Sequence, residues 1–406
     1  MNIIIVGAGV AGFSAAENAR KNSEDANIIL FNAEPHSPYF RPRLPEIVSL
    51  KITADQIQAH TDSWYKEKNL EFRKGENVVE ICLNNNQVRG SLGSRLRYDR
   101  LLIATGAVPF IPEISGSKGG TLEGIYPLRT LDDAIKLKFA ADNAQSALLL
   151  GSGLLGLELA HALTQRGLTI HVLEKADRIL PLQTTPKSAL LLQKLLSDIG
   201  FVFHLRSELL EVRGQDKVEK ALLKTGEELK VDFVAVATGV RSEVTLAKEL
   251  NLKVDRGIVV DQYMETTIPD IYAAGDCAQT PDGKGGQWPI ARLEGLAAGF
   301  NLVQADRNNR QPYKPVPPSS FLKVAGIDLL SAGNIDPEGK LKNAEYQTET
   351  SYRKVVVNQL GQIAGFTNLG TTVGNQMLTA ALGKKAPISD DLLEKLKGEF
   401  DFSQFP

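Results

Sequence analysis

The sequence predicts an α/β fold in which two parallel-sheet units of the same design are followed by a smaller α+β unit. Three observations predict it. A short apolar run, Asn2 to Val6, ends in a glycine turn that opens a helix. The same arrangement returns 144 residues later, with Gly151 where Gly7 stood. Beyond Gln311 to Pro318, which holds four prolines and reads as a linker, the pattern changes to runs bounded by turn residues, as in antiparallel strands.

Asn2 to Val6 is isoleucine-rich and reads as a buried parallel strand. Gly7 to Gly12 is the turn, Phe13 to Arg20 has helix-forming composition with alanines on one face, and Asn27 to Phe31 is the next strand. Pro35 to Pro45 is polar and proline-rich. Val78 to Leu83 reads as a strand, and Leu101 to Ala104 is an apolar run that meets Thr105-Gly106. In the repeat, Ala147 to Leu150 is the strand, Gly151 to Gly156 the turn, Leu157 to Arg166 the helix and Leu168 to Leu173 the next strand. Phe233 to Ala237 runs into Thr238-Gly239, and Ile271 to Ala274 into Gly275-Asp276. Past the linker, Phe321 to Ser331, Tyr352 to Asn358 and Gln362 to Asn368 read as antiparallel strands, with helices near Thr372 to Ala381 and Asp390 to Lys397.

Both glycine turns have the spacing Gly-x-Gly-x-x-Gly between a strand and a helix, which is the Rossmann-like dinucleotide-binding pattern: Gly7-Ala8-Gly9-Val10-Ala11-Gly12 and Gly151-Ser152-Gly153-Leu154-Leu155-Gly156. The first glycine permits the tight turn, the second lets a pyrophosphate approach the backbone, and the third lets helix and strand pack closely. The helix N-terminus supplies N–H groups and partial positive charge to the phosphates. A carboxylate about 20 residues on is expected to hold a ribose. Glu34 lies 22 residues after Gly12, and Glu174 lies 18 after Gly156. An acid at Glu174 repels a 2′-phosphate and so favours NADH over NADPH, whereas the bland alternative is a solvent-facing pair with Lys175. Lys175 and Arg178 beside it keep that preference open. Two such turns imply two dinucleotides, most simply FAD and a nicotinamide nucleotide, since hydride passes from one ring to the other.

These paired turns, Ala104-Thr105-Gly106, and the run Thr267 to Asp276 resemble the FAD-dependent pyridine nucleotide–disulfide oxidoreductase superfamily. Pro38 to Leu44 and Leu128-Arg129-Thr130 are similar to its NADH:rubredoxin oxidoreductase and nitrite reductase-type branch. The resemblance implies FAD contacts from Gly7, Gly9, Ala11, Gly12, Glu34, Arg41, Pro42, Ala104, Thr105, Gly106, Arg129, Gly275, Asp276 and Trp288, and NAD contacts from Gly151, Gly153, Leu155, Gly156, Glu174 and Gly239. Asp276 takes the role of bonding the ribityl or pyrophosphate region.

The departures narrow the chemistry. The superfamily's disulfide reductases carry a cysteine pair on the first helix, and its peroxidases one cysteine near residues 37–48; this chain has neither, and its two cysteines, Cys82 and Cys277, read as buried packing residues. Relatives with a Lys–Glu pair near the flavin have lysine where this chain has Glu46, while Glu158 keeps the other half. Glu158 reads equally as a helix N-terminal acid or as a nicotinamide contact. Trp288 is either a flavin neighbour or a core tryptophan, and Lys323 a solvated lysine or a residue facing flavin or partner.

Composition excludes several classes. Basic and acidic residues number 46 and 48, against the basic excess of nucleic-acid binders. Two cysteines and five histidines without ligand spacing offer no metal site. No uninterrupted apolar stretch of membrane-spanning length occurs, and the N-terminus lacks a charged leader. Free cysteines fit a cytoplasmic protein. The expected layout is an FAD domain at 1–108 and 240–311, an NADH domain at 109–239 and an α+β domain at 312–406, in a monomer or homodimer. The expected function is transfer of electrons from NADH through FAD to a small acidic carrier such as rubredoxin, steered by Arg41, Arg43 and Lys323. An NADH oxidase or a quinone or ferredoxin reductase without redox cysteine, and a flavin-based redox-sensing binding protein, are the alternatives.

Overall fold

Ile3, Ile4 and Ile5 are consecutive and all fully buried, which requires a strand covered on both faces, as in a parallel sheet with helices on either side. The computed structural model describes residues 1–116, 122–283, 285–385 and 387–405. It divides into two units, the first formed by Met1–Arg43, Thr53–Val108 and Val240–Val316, the second by Leu44–Ile52, Pro109–Gly239 and Pro317–Pro406.

Unit 1 centres on five strands in the order Ile271–Ala273, Arg100–Ile103, Asn2–Val6, Asn27–Asn32, Leu70–Lys74. Every neighbouring pair is parallel. The carboxyl ends therefore share one edge, and that edge collects Gly7, Glu34, Ala104-Thr105-Gly106 and Gly275-Asp276, which are scattered in sequence. The helices Val10–Asn22 and Trp288–Leu302 pack on each other. Their contact is unusually close: a β-carbon added at Gly295 would sit 2.2 Å from the Ala11 carbonyl oxygen, and one at Gly299 2.3 Å from that of Ala15.

Unit 2 repeats the design in the order Phe201–Leu205, Thr169–Glu174, Ser146–Leu150, Phe233–Val236, Ile125–Pro127, again all parallel. Its carboxyl edge collects Gly151, Glu174, Thr238-Gly239 and the Leu128-Arg129 segment. The short helix Leu44–Val48 packs against the helices Leu131–Ala140 and Leu154–Thr164. Arg166 fastens it there, donating to the carbonyls of Lys138 at 2.7 Å and Val48 at 3.4 Å.

The rest of unit 2 includes a five-stranded antiparallel sheet in the order Ser319–Val324, Ile327–Gly333, Ile363–Leu369, Tyr352–Val357, Asn343–Gln347. The helices Asn375–Lys384 and Asp390–Lys395 cover one face through Phe366, Val355, Leu378 and Leu393. One sequence expectation needs correction here. Phe321 to Ser331 is not a single strand but parts of two, folded back at Ala325-Gly326, where φ is +51° and +79°. Two positive φ values in succession are the signature of a tight hairpin turn, and an alanine at its first position hides it. The strand Asn343–Gln347 is a further one that the sequence did not reveal.

Candidate functional site

In unit 1 the chain leaves Asn2–Val6 and turns at Gly7, whose φ is +103°. A side chain there would also collide with Ala104, its β-carbon lying 2.3 Å from that carbonyl oxygen. A β-carbon at Gly12 would lie 1.8 Å from the Gly7 carbonyl oxygen, so helix and turn touch as the motif requires. Gly9 differs, because a β-carbon there meets nothing within 4 Å. It opens on free space at the N-cap of Val10–Asn22, a helix with no side-chain cap and no acid in its first turn. Helices following Thr61, Thr130, Thr185 and Ser389 are capped by those side chains. An uncapped N-terminus beside open space is fit for an anion.

Around this turn, Glu34 has two partners. Its Oε1 accepts from Arg41 Nη2 at 2.6 Å and its Oε2 from the Tyr39 hydroxyl at 2.6 Å. The Arg41 guanidinium also lies over the Tyr39 ring. Pro42 is exposed in the short 3-10 turn Arg41–Arg43, and Arg43 donates to the Gln56 carbonyl. Phe40 stands 5.3 Å from Trp288, centroid to centroid, so two half-open aromatic rings adjoin the Arg41 turn. Thr105 Oγ1 donates to the Glu243 carbonyl at 2.7 Å, and Glu243 N–H to the Gly106 carbonyl at 2.9 Å. Ser242 Oγ donates to the Asp276 carbonyl. Cys277 is wholly buried between the carbonyls of Ile103 and Ala274, and burial pushes its thiol up to about 11. It is a packing residue, as expected.

Sequence reasoning missed Glu294. It is 2% exposed and its Oε2 accepts the Gly275 N–H at 2.8 Å. Burial, with the Asp276 charge adding, raises its carboxyl to about 7. The spacing Gly295-x-x-x-Gly299 on the same helix marks its close contact with Val10–Asn22 but does not point to the acid beside it.

Unit 2 repeats the open cradle. A β-carbon at Gly153 meets nothing within 4 Å, and Gly153 caps Leu154–Thr164 with no side-chain bond and no acid in the first turn. A β-carbon at Gly156 would lie 2.5 Å from the Gly151 carbonyl oxygen and one at Gly151 2.7 Å from that of Ala237. Gly239 is likewise open, and Leu155 is half-buried. Glu174 is wired to the turn: its Oε2 accepts from Ser152 N–H at 3.0 Å and Ser152 Oγ at 2.7 Å, and its Oε1 from Ala176 N–H at 2.8 Å. Its basic neighbours face acids of their own, Lys175 toward Glu208 and Arg178 toward Asp177. Arg129 belongs to unit 2, just ahead of the N-cap Thr130 of Leu131–Ala140, and its N–H donates to Asp133 Oδ2 at 3.0 Å. Lys323 is exposed.

Glu158 lies in the second turn of Leu154–Thr164. Burial raises its carboxyl to about 7, and the charge of Glu46, on the helix packed against it, pushes the same way. The chain has thus placed an acid opposite Glu158, and the pair favours holding a proton near neutrality. A chain of His171, His204 and Glu227 at the sheet edge also escaped the sequence reading. Among the described residues no acid, histidine or cysteine group is arranged to hold a metal, and no helix is long and apolar enough to cross a membrane.

Comparison with known proteins bears on both units. Residues 1–295 match the family profile described as pyridine nucleotide-disulphide oxidoreductase, and residues 318–386 that of the rubredoxin NAD+ reductase C-terminal domain. The assimilatory nitrate reductase electron transfer subunit of Bacillus subtilis is 31% identical over 95% of this chain, which spans about 50% of that protein. The NADH-rubredoxin oxidoreductase of Clostridium acetobutylicum is 31% identical over 91% of this chain and 92% of its own length. The crystal structure of NADH:rubredoxin oxidoreductase from the same organism superposes with a TM-score of 0.79, at 28% identity, covering 96% of each chain.

Proposed function

Because this chain belongs to the pyridine nucleotide-disulphide oxidoreductase family, we propose that it oxidises NADH through a bound FAD and delivers the electrons to a small iron–sulfur carrier of the rubredoxin type. The observation that carries the reading is the duplicated cradle: Gly9 and Gly153 each face open space at an uncapped helix N-terminus, at the carboxyl edge of a parallel sheet. A pyrophosphate fills such a space and accepts the helix N–H groups. Unit 1 is the FAD half, with Gly7, Gly9, Ala11 and Gly12 at the pyrophosphate, Glu34, Arg41 and Pro42 toward the adenosine, and Ala104 to Gly106, Gly275, Asp276 and Trp288 toward the rest of the cofactor. Unit 2 is the NADH half, with Gly151 to Gly156, Glu174 and Gly239 as its contacts.

FAD, when bound, supplies the conversion of a two-electron hydride into single electrons, which no side chain can perform. The protein binds and orients. Glu174 already holds the Ser152 amide and hydroxyl, so the turn that receives NADH is built before the nucleotide arrives. The same carboxylate disfavours a 2′-phosphate. Cys277 is buried with its thiol held protonated and is not paired with Cys82, so no dithiol stores the electrons. They leave for a separate carrier. An acidic carrier is drawn by exposed cations such as Lys323. Free thiols and the absence of a membrane-spanning helix among the described residues accord with a cytoplasmic setting.

The reduction step of the test is anaerobic. Protein reconstituted with FAD is mixed with NADH, bleaching of the flavin band is followed, and rubredoxin, ferredoxin and oxygen are offered as acceptors in parallel. Fast reduction of rubredoxin is expected. Protein that takes up no FAD overturns the reading, and turnover with oxygen alone replaces the carrier with an oxidase role.

A further inference from the structure

The helix Trp288–Leu302 touches the Gly275-Asp276 motif, the helix that follows the phosphate turn and the Phe40-Arg41 turn, and we propose that it brackets the flavin site, with Glu294 as the positioning residue that sets Asp276 by holding the Gly275 amide. The inference rests on the FAD reading of unit 1 and assigns residues which that reading leaves without a role.

Six contacts carry it. Gly275 adopts a left-handed backbone, φ +83°, at the carboxyl end of Ile271–Ala273, and its N–H is directed to Glu294 Oε2 at 2.8 Å. The next residue is Asp276, so the direction in which that carboxylate leaves the chain follows from the Gly275 conformation. On the other side Ser242 Oγ fixes the Asp276 carbonyl at 2.7 Å. The bracket also grips the phosphate turn. A β-carbon at Gly275 would lie 2.8 Å from Ala11 Cβ, and those at Gly295 and Gly299 would strike the backbone of Ala11 and Ala15 in the helix that Gly9 caps. At the helix start, Trp288 meets Phe40, the neighbour of Arg41.

Packing alone does not call for an acid at position 294. A leucine fills the volume without the cost of a buried carboxylate, and Ala291, Ala298 and Leu302 do that on the same helix. A carboxyl at 2% exposure is retained because it satisfies a backbone donor that lies in the interior and has to stay in an unusual conformation. Glu294, Gly295 and Gly299 thereby lock the Gly-Asp motif and the phosphate turn into one rigid frame, so that a cofactor spanning both meets them at a fixed separation.

The experiment measures FAD release from the holoprotein by the rise in flavin fluorescence on dilution, in wild type, Glu294→Gln and Glu294→Leu. The glutamine keeps an oxygen for the Gly275 N–H, and release within about threefold of wild type is expected. The leucine strands that donor, and release about tenfold faster or more is expected, with NADH binding to the apoprotein unchanged. FAD retention by Glu294→Leu equal to wild type overturns the assignment, and so does loss from Glu294→Gln as fast as from Glu294→Leu. If Glu294→Leu does not fold, Glu294→Asp decides: one methylene short of Gly275, it is expected to release FAD faster, and wild-type retention refutes the tether. Wild-type protein that binds no FAD overturns the FAD reading and the assignment together, whereas FAD bound equally well by all variants overturns only the assignment.

Discussion

Replacing Glu158 by glutamine should stabilise the protein in alkaline solution and leave it unchanged in acid. Burial and the neighbouring Glu46 raise the Glu158 carboxyl from 4.5 to about 7. An acid whose folded value is raised binds its proton more tightly in the folded chain than in the unfolded one. Its contribution is therefore intact below about pH 4.5 and is lost as pH rises through about 7. The separation between 4.5 and about 7, at 1.36 kcal/mol for each tenfold step in acidity, amounts to at most about 3 kcal/mol. Glutamine is neutral at every pH and suffers no such loss. For a chain of 406 residues that difference corresponds to at most roughly 4 °C in melting temperature. The assay is thermal unfolding of wild type and E158Q at intervals from pH 5 to pH 9, read as the difference between the two proteins. Glu294 titrates in the same window but is present in both, so it cancels. A gap near zero at pH 5 that opens in favour of E158Q toward pH 9 is expected. A gap that stays constant across the range refutes the argument that Glu158 is a desolvated acid facing Glu46.

The two glycines of the NADH turn should respond differently to a methyl group. Gly153→Ala has free space around the new carbon and should fold normally while raising the NADH KM about tenfold, whereas Gly156→Ala strikes the Gly151 carbonyl and should lower the melting temperature, as differential scanning calorimetry would record. Unimpaired NADH saturation in G153A would refute the cradle. Cys277→Ala should leave NADH-driven flavin reduction within about twofold of wild type, and Cys277 should resist a thiol reagent until the protein is unfolded, since its thiol is buried and pushed up to about 11. Glu174→Ala should raise the KM for NADH more than that for NADPH, and an unchanged ratio in steady-state assays would remove the ribose role from Glu174. Carrier reduction should slow several-fold between about 0.05 and 0.5 M salt if surface cations steer an acidic partner, and a flat profile in stopped-flow assays would exclude that steering.

What the sequence disclosed and what it hid have a common physical basis. The two glycine turns were legible because each glycine answers a local demand, a positive φ at Gly7 or a backbone contact at Gly12, which leaves a fixed spacing in the chain. The parallel strands were legible because residues buried on both faces form unbroken apolar runs such as Ile3 to Ile5. Glu294 left no such trace. Its partner Gly275 is 19 residues away, and an acid in a helix reads as solvent-facing unless the burial of that face is known. The proximity of Glu46 to Glu158 was hidden for the same reason, because it depends on the short helix Leu44–Val48 packing with residues more than 100 positions on. The hairpin at Ala325-Gly326 was missed through local chemistry instead, since alanine seldom takes the first positive-φ position of such a turn.

The two units also differ in a way that follows the lifetimes of the ligands proposed for them. In unit 2 the phosphate turn is held by its own neighbourhood: Glu174 accepts both the amide and the hydroxyl of Ser152. The equivalent position in unit 1 is Ala8, which has no hydroxyl to offer, and the equivalent acid, Glu34, bonds to Arg41 and Tyr39 instead. Ala104 backs the unit 1 turn as Ala237 backs that of unit 2, and unit 1 adds the glycines of Trp288–Leu302, a segment distant in sequence. A nucleotide that arrives and departs in every catalytic cycle gains from a turn that needs no reorganisation, since ordering it on each encounter would subtract from binding. A cofactor that stays gains from segments far apart in sequence closing around it, since that raises the barrier to its release. On the proposed assignment, Ser152 and Glu174 are expected to govern the speed with which NADH exchanges, and Gly295, Gly299 and Glu294 how long FAD remains.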